Sequence, residues 1–327
     1  MPFVNILGLK HLTRFVSCFC LVAAWFLRTR DANDRIVLIH GVHSPFLFAT
    51  LFLCKLLQIK IVTIISDPPG VMLPGDGKII RLLRSIDRAI ISKALCSMDG
   101  LIALTSQLSK FYAPQKPSVV VEGILSADDL AAHIDESQSD LKNESSVFTI
   151  LYAGLLKAEY GLELLLQAFF RLDDPCFKLL ILGRGEYEEA IRKASEQDSR
   201  IIFKGFCDQH IVKELMKKTT VLINPRPAKQ DFTHFSFPSK TIEYMITGRP
   251  VLSTRLPGIP NEYFRYLYVI DDETPEGLSN LFLRLKAISA DQLSAFGAVA
   301  KSFVMNNKNE LVQGRKIINF LNNITFR

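Results

Sequence analysis

The sequence predicts an α/β protein made of two parallel-sheet domains, and three observations carry that prediction. Short β-branched runs alternate with longer helical patterns along the chain. One stretch, Ser126–Ser146, breaks the alternation: it has few large apolar residues and sets Asp128, Asp129, Asp135, Glu136, Asp140 and Glu144 against Lys142. The length, 327 residues, suffices for two substantial cores. The domains are therefore drawn as 1–145, with a linker from about 126, and 146–327, whose last helix is expected to pack back on the first domain.

Four strands are expected in the first half, at Ile36–Ile39, Lys60–Ile65, Gly100–Leu104 and Ser118–Val121. Six follow, at Phe148–Tyr152, Lys178–Leu182, Arg200–Phe203, Thr220–Ile223, Val251–Ser253 and Leu267–Ile270. Helical patterns at Gly161–Arg171, Glu186–Glu196 and Asp208–Lys218 lie between them. Sheets of this kind bind ligands beyond the carboxyl ends of their strands, so a cleft between two such domains is the expected site. The opening is irregular. Met1–Arg35 offers no strand followed by a glycine-rich turn, so the first domain is expected to lack its opening strands.

Composition narrows the partners. Hydrophobic residues make up 48% and mean hydropathy is +0.19, short of a polytopic membrane protein. A net charge of +6 and a pI near 8.9 fit an anionic partner. Basic and aromatic residues are not interleaved as in a single-strand-binding surface, which excludes nucleic acid. Cys18, Cys20, Cys54, Cys96, Cys176 and Cys207 are scattered in mostly apolar surroundings, without paired CxxC spacing or clustered histidines. Buried free thiols in a reducing cytoplasm are expected, with no metal site.

Phe15–Leu27 is mostly apolar and flanked by Lys10, Arg14, Arg28 and Arg30. It falls short of the roughly 20 residues of a membrane span, and no A-x-A-like cleavage site follows it. Two readings stand: a helix pressed on anionic lipid with its basic flanks, or an ordinary core helix.

The chemistry concentrates in the second half. Pro238-Ser239-Lys240 opens a short helix that Gly248 and Pro250 close. A helix start attracts anions, and Lys240 adds a full charge there. Glu243 lies four residues after Ser239, about 6 Å along one helix face, roughly the span from a diphosphate to a ribose. The plain alternative is an N-cap at Ser239 and an i,i+3 surface pair between Lys240 and Glu243. Gly154 ends one strand and Gly183-Arg184-Gly185 another, each as a turn glycine or as a place where backbone approaches a ligand. Asn224-Pro225-Arg226-Pro227 is a stiff loop that holds Arg226 at a strand end, as a phosphate fork or as a surface arginine.

In order and spacing these segments resemble one family. Leu151–Gly154 with Tyr160-Gly161, Leu182–Gly185, Ile223–Pro227, Phe237–Met245, Gly248–Val251 and Leu256–Pro260 are similar to the donor-binding half of the GT-B glycosyltransferases of family 4. The bacterial enzymes of exopolysaccharide, capsule and O-antigen synthesis are the most similar branch. The resemblance runs from Phe148 to about Tyr268 and continues more weakly through His40–Phe46, Ser66–Gly70 and Val120–Gly123. It implies two Rossmann-like domains facing across a cleft. It also implies retaining transfer of a sugar from a nucleotide-diphosphate donor, of UDP-hexose type, to a lipid-linked oligosaccharide, without a metal or other cofactor. The chain agrees on the last point, having no Asp-x-Asp.

By position the resemblance assigns the diphosphate to Lys240 and the Ser239 amide, the ribose to Glu243, and the phosphate side to Arg226. Gly154, Arg184, Pro238 and Thr241 complete the donor-binding set, with the Gly183–Gly185 turn and the loop after Phe203 flanking the base. His43 and Asp67, each on a loop after a first-domain strand, are the acceptor-side candidates for catalysis, or a structural histidine and a turn aspartate. Three departures stand out. Phe235 occupies the place of the acid eight residues before the ribose glutamate, leaving Asp231 or His234 to substitute. Leu155 and Tyr160 replace the usual cations of the first donor loop, shifting charge to Lys157, Arg226 and Lys240. The glycine-rich loop of the acceptor domain is missing. The expected setting is cytoplasmic, peripheral at the inner face of the plasma membrane. Rival readings are a non-catalytic or partner-dependent remnant, and a nucleotide-sugar epimerase on the same fold.

Overall fold

The computed structural model describes residues 9–29, 35–68, 77–134 and 147–325. Most of the expected linker, 135–146, lies outside the described residues, as do Arg30 and the side chains of Lys10 and Asp231.

All ten expected strands form. The first unit comprises the described residues up to Glu122 together with those from Gln313 onward. It holds β1 (Ile36–His40), β2 (Lys60–Ile65), β3 (Gly100–Ala103) and β4 (Ser118–Val120), parallel and in sequential order. Helices α1 (Leu9–Arg28), α2 (Ser44–Leu56), α3 (Lys78–Cys96) and α4 (Ser106–Tyr112) belong to it. The second unit, Gly123–Val312, holds β5 (Phe148–Leu155), β6 (Phe177–Arg184), β7 (Ile201–Gly205), β8 (Val221–Asn224), β9 (Val251–Thr254) and β10 (Tyr268–Ile270). Its helices are α5 (Ala127–Ile134), α6 (Leu162–Phe170), α7 (Glu188–Gln197), α8 (Gln209–Lys217), α9 (Lys240–Met245), α10 (Pro275–Lys286) and α11 (Ala290–Asn307). The chain returns to the first unit within α12 (Glu310–Thr325). The units thus divide at Glu122/Gly123, upstream of the acidic stretch that marked the boundary in the sequence.

The second sheet has the order β10-β9-β8-β5-β6-β7, all parallel. Strands covered on both faces read as unbroken apolar runs, which is why Ile150–Leu151, Leu179–Leu182 and Val221–Ile223 are buried residue after residue. Phe169 and Phe282 fill one face with α6 and α10. In the first unit Ile317, Phe320, Leu321 and Ile324 of α12 pack on Val62 and Ile102. Gly100 makes room for them, since a Cβ there would overlap the Ile324 side chain.

Two expectations change. α1 begins at Leu9, so an 18-residue window, His11–Arg28, has the length and mean hydropathy of a span, and only 6% of it is buried. A signal sequence or a core helix passes the same test. The thiols are not uniformly buried either: Cys18 and Cys54 are, but Cys20 and Cys96 are exposed and Cys176 and Cys207 half-buried. Burial pushes the Cys54 thiol up to about 11, so it is inert at neutral pH.

Candidate functional site

The second sheet reverses direction at one place. From β5 the chain adds β6 and β7 on one side, then crosses to add β8, β9 and β10 on the other. The carboxyl ends of β5 and β8 therefore form a topological switch point, where α/β sheets bind ligands. Two loops flank it: Leu156–Gly161 after β5 and Pro225–Gln230 after β8.

Glycine brings those loops together. Gly161 has φ +79°, and a Cβ on it would overlap the Pro225 carbonyl. Only a hydrogen fits there, so the β5 loop rests directly on the β8 loop. The Arg226 guanidinium then lies 4.3 Å from the centre of the Tyr160 ring. Burial holds its pKa below the usual arginine value, yet an arginine stays charged in a protein. Poorly solvated positive charge facing a switch point attracts anions strongly. Two further contacts fix the loop: Thr254 donates to the Arg226 carbonyl, and the Ala228 N–H donates to the Glu273 carboxylate at 3.0 Å.

β5 and β6 run on through the glycines that were expected to be turns. Gly154 pairs with Gly183 and Leu155 with Arg184. The strands approach so closely that a Cβ on Gly183 would overlap the Gly154 carbonyl. Both glycines therefore serve strand contact. Arg184 points outward, its guanidinium 5.0 Å from the Phe206 ring centre. Beyond Leu151, β5 loses its pairing with β8. Tyr244 fills the gap: its hydroxyl accepts from Ala153 N–H at 2.9 Å and donates to Ala153 C=O at 2.8 Å. That fastens α9 beside the switch point.

α9 carries the two residues that drew most weight in the sequence. Lys240 Nζ lies 2.6 Å from Glu243 Oε2, and both side chains are partly exposed. The plain surface pair is therefore what the structure holds. Ser239 is exposed and helical and makes no capping bond through its side chain, so the N-cap alternative fails. Pro238 and Thr241 are buried, and their side chains are not available to a ligand at the surface. Asn224 Nδ2, Ser236 Oγ and Thr241 Oγ1 are buried without a hydrogen-bond partner. All three lie on the connection from β8 through α9. Lys157 is engaged by Glu159 at 3.3 Å, which raises its pKa. His234 is exposed and Phe235 half-buried.

In the first unit β1 and β2 are parallel neighbours, so the loops bearing His43 and Asp67 share the carboxyl edge of that sheet. His43 sits at the start of α2, exposed; Arg14 Nη1 donates to its Nε2 at 3.4 Å, and the Phe46 ring lies 4.9 Å away. Asp67 accepts from Ser66 Oγ at 2.9 Å. Among the described residues no group of three or more His, Cys, Asp or Glu could hold a metal ion.

The sequence reading missed three supports of the site. Glu273 has no local signal, since it acts on a loop 45 residues away. Tyr160 was a departure from pattern rather than a partner for Arg226. Tyr244 could have been singled out: it follows Glu243 in a helix, so it points about 100° round from it, here toward the buried side.

Residues 147–287 match the profile of the family described as glycosyl transferases group 1. The second unit therefore carries a glycosyltransferase domain of that group, and the chain has the GT-B fold. WcaL of Escherichia coli (strain K12), named as a colanic acid biosynthesis glycosyltransferase, is 24% identical over 192 residues, 57% of this chain and 47% of that one. WcaL of Salmonella typhimurium (strain LT2) is 26% identical over 176 residues, 52% of this chain and 43% of that one. The matched stretch thus spans about half the length of these relatives. Among solved structures, Anabaena HepE in complex with UDP superimposes with a TM-score of 0.65 at 15% identity, over 98% of this chain and 85% of that one. The lipopolysaccharide outer core galactosyltransferase WaaB does so at 0.62 and 16% identity, over 97% and 82%.

Proposed function

We propose that this chain transfers a sugar from a nucleotide-diphosphate donor of UDP-hexose type to a lipid-linked oligosaccharide in bacterial surface-polysaccharide synthesis. The transfer is retaining and metal-independent, at the inner face of the plasma membrane. The observation that carries the reading is the Arg226–Tyr160 contact at the switch point of a glycosyl transferases group 1 domain. The names of the WcaL relatives support the polysaccharide setting, and HepE in complex with UDP supports the donor class.

In this reading the departing diphosphate is stabilised by fixed cations in place of a metal. Arg226 supplies one, Lys240 the other, and the Ser239 amide adds a donor. Lys240 and Glu243 exchange each other for ligand: the ammonium takes a phosphate oxygen while the carboxylate accepts from the ribose hydroxyls. Gly154, the Gly183–Gly185 segment and Arg184 border the nucleotide, and Pro238 and Thr241 act through the backbone and packing of their loop. His43 and Asp67 serve the acceptor, the histidine taking its proton.

A thermal-shift panel of nucleotide sugars tests the donor. A ligand at 100 times its dissociation constant adds about 2.7 kcal/mol, so the cognate donor stands apart from the others. No shift with any UDP, GDP or ADP sugar would overturn the reading. Donor consumed without acceptor, giving an isomeric sugar nucleotide, would make the protein an epimerase instead.

A further inference from the structure

The first unit carries a helix whose apolar stripe faces the wrong way for a core helix. In α3, Ile79, Leu83, Ile86 and Ile90 recur at spacings of four, three and four, with Leu82 beside them. That is one continuous helix face. These five side chains are 47–76% exposed. Over the same turns the half-buried positions are Arg84 and Ser85, on the other side of the helix. The amphipathic pattern is intact, but it points outward. Only the last turns enter the core, where Ile91, Ala94 and Leu95 are buried, and Ser44 Oγ donates to Asp87 Oδ1 at 2.8 Å to tie α3 to α2.

Charge selects what covers this face. α3 carries Lys78, Arg81, Arg84, Arg88 and Lys93 against a single acid, Asp87. A second copy of the chain would bring like charge against like, whereas an anionic lipid surface neutralises the cations and buries the stripe together. α1 of the same unit also exposes apolar residues, among them Leu12, Val16 and Leu21.

We propose that α3 lies in the plane of an anionic membrane surface, with Ile79, Leu82, Leu83, Ile86 and Ile90 inserted among the acyl chains. The cations reach the headgroups along the polar side. This deepens the membrane setting proposed above and locates it on a helix other than the apolar α1.

Flotation of the full chain with vesicles tests it, using phosphatidylcholine alone and phosphatidylcholine mixed with phosphatidylglycerol. Binding to the mixed vesicles is expected, and weak binding to the neutral ones. Combined substitution of Ile79→Ser, Leu83→Ser and Ile86→Ser should lower partitioning by roughly a hundredfold, and Arg81→Gln or Arg88→Gln by about fivefold each. Circular dichroism melting reports whether each variant is folded. If the triple variant unfolds, the two arginine variants carry the test by themselves. Binding lost with Leu12→Ser/Val16→Ser but kept in every folded α3 variant would overturn the proposal while leaving a membrane-bound enzyme. Equal binding to both vesicle types would overturn it too. So would a lipid-independent dimer that the α3 variants dissociate. Donor binding, measured separately, reports on the proposed transferase and is unaffected by either result.

Discussion

The guanidinium of Arg226 stacks on the ring of Tyr160, joining the loops after β8 and β5 across the switch point of the second sheet. The family resemblance places a cation at the position of Tyr160 on the β5 loop; this chain has a tyrosine there, with Lys157 on the same loop and Arg226 on the β8 loop. If Arg226 holds the diphosphate, Arg226→Ala should weaken UDP binding by about 1.5–3 kcal/mol. Tyr160→Leu keeps the charge but loses its seat and should cost no more than about 1 kcal/mol. Calorimetric titration of UDP separates the two. Equal affinities for wild type and Arg226→Ala would remove Arg226 from the site.

Lys240 and Glu243 form an exposed pair, which contributes only about 0–1 kcal/mol to stability. Lys240→Ala and Glu243→Ala should therefore leave the melting temperature nearly unchanged. UDP affinity should fall by about 1.5–3 kcal/mol in each variant. A pair that matters only to the surface would leave both measurements flat.

Gly161→Ala places a methyl group against the Pro225 carbonyl in a left-handed backbone. The conformation alone costs roughly 1–2 kcal/mol, and the overlap forces the two loops apart. Urea unfolding should show a loss of at least about 2 kcal/mol, accompanied by weaker UDP binding. A variant as stable as wild type would mean that the loop contact is not rigid.

Tyr244→Phe removes a hydroxyl that satisfies both backbone groups of Ala153. It leaves them buried and unpaired where β8 no longer reaches, at a cost of about 1–3 kcal/mol. Denaturant midpoints check this, with Tyr244→Phe expected to unfold at clearly lower urea.

Asp198 supplies a pH signature. Hydrogen bonds from Arg200, at 2.6 Å from Nη2 and 3.0 Å from Nε, hold its carboxyl below the usual carboxylate range. A depressed folded-state pKa contributes stability above the unfolded value of about 3.9 and loses it as pH falls through the folded one. Wild type should exceed Asp198→Asn by about 1–2 kcal/mol near neutral pH. Thermal melts should show that gap closing below about pH 4. A gap independent of pH would assign the effect to packing.

The ten strands were legible as short β-branched and aliphatic runs, a signal that needs no partner to be read and is plainest in β5, β6, β8 and β9, whose residues are mostly buried. The loops of the site were legible for a related reason: glycine and proline mark where a backbone turns or touches another. Lys240, Glu243 and Arg226 could be named from local spacing. Their states were legible only in part. The Lys240–Glu243 pair is the local i,i+3 contact that the spacing offered, whereas the seat of Arg226 on Tyr160 and the burial of Thr241 depend on residues brought near by folding.

The chain's own order of residues determined the class of each element, the parallel sheets and the position of the candidate loops, since these follow from periodicity and backbone constraint. Only the tertiary structure decided that β5 and β6 continue through their glycines, that Tyr244 and Glu273 fasten the site, and that α3 turns its apolar stripe outward. Periodicity reports that a helix has two unlike faces, but which face meets the core depends on what else is packed there.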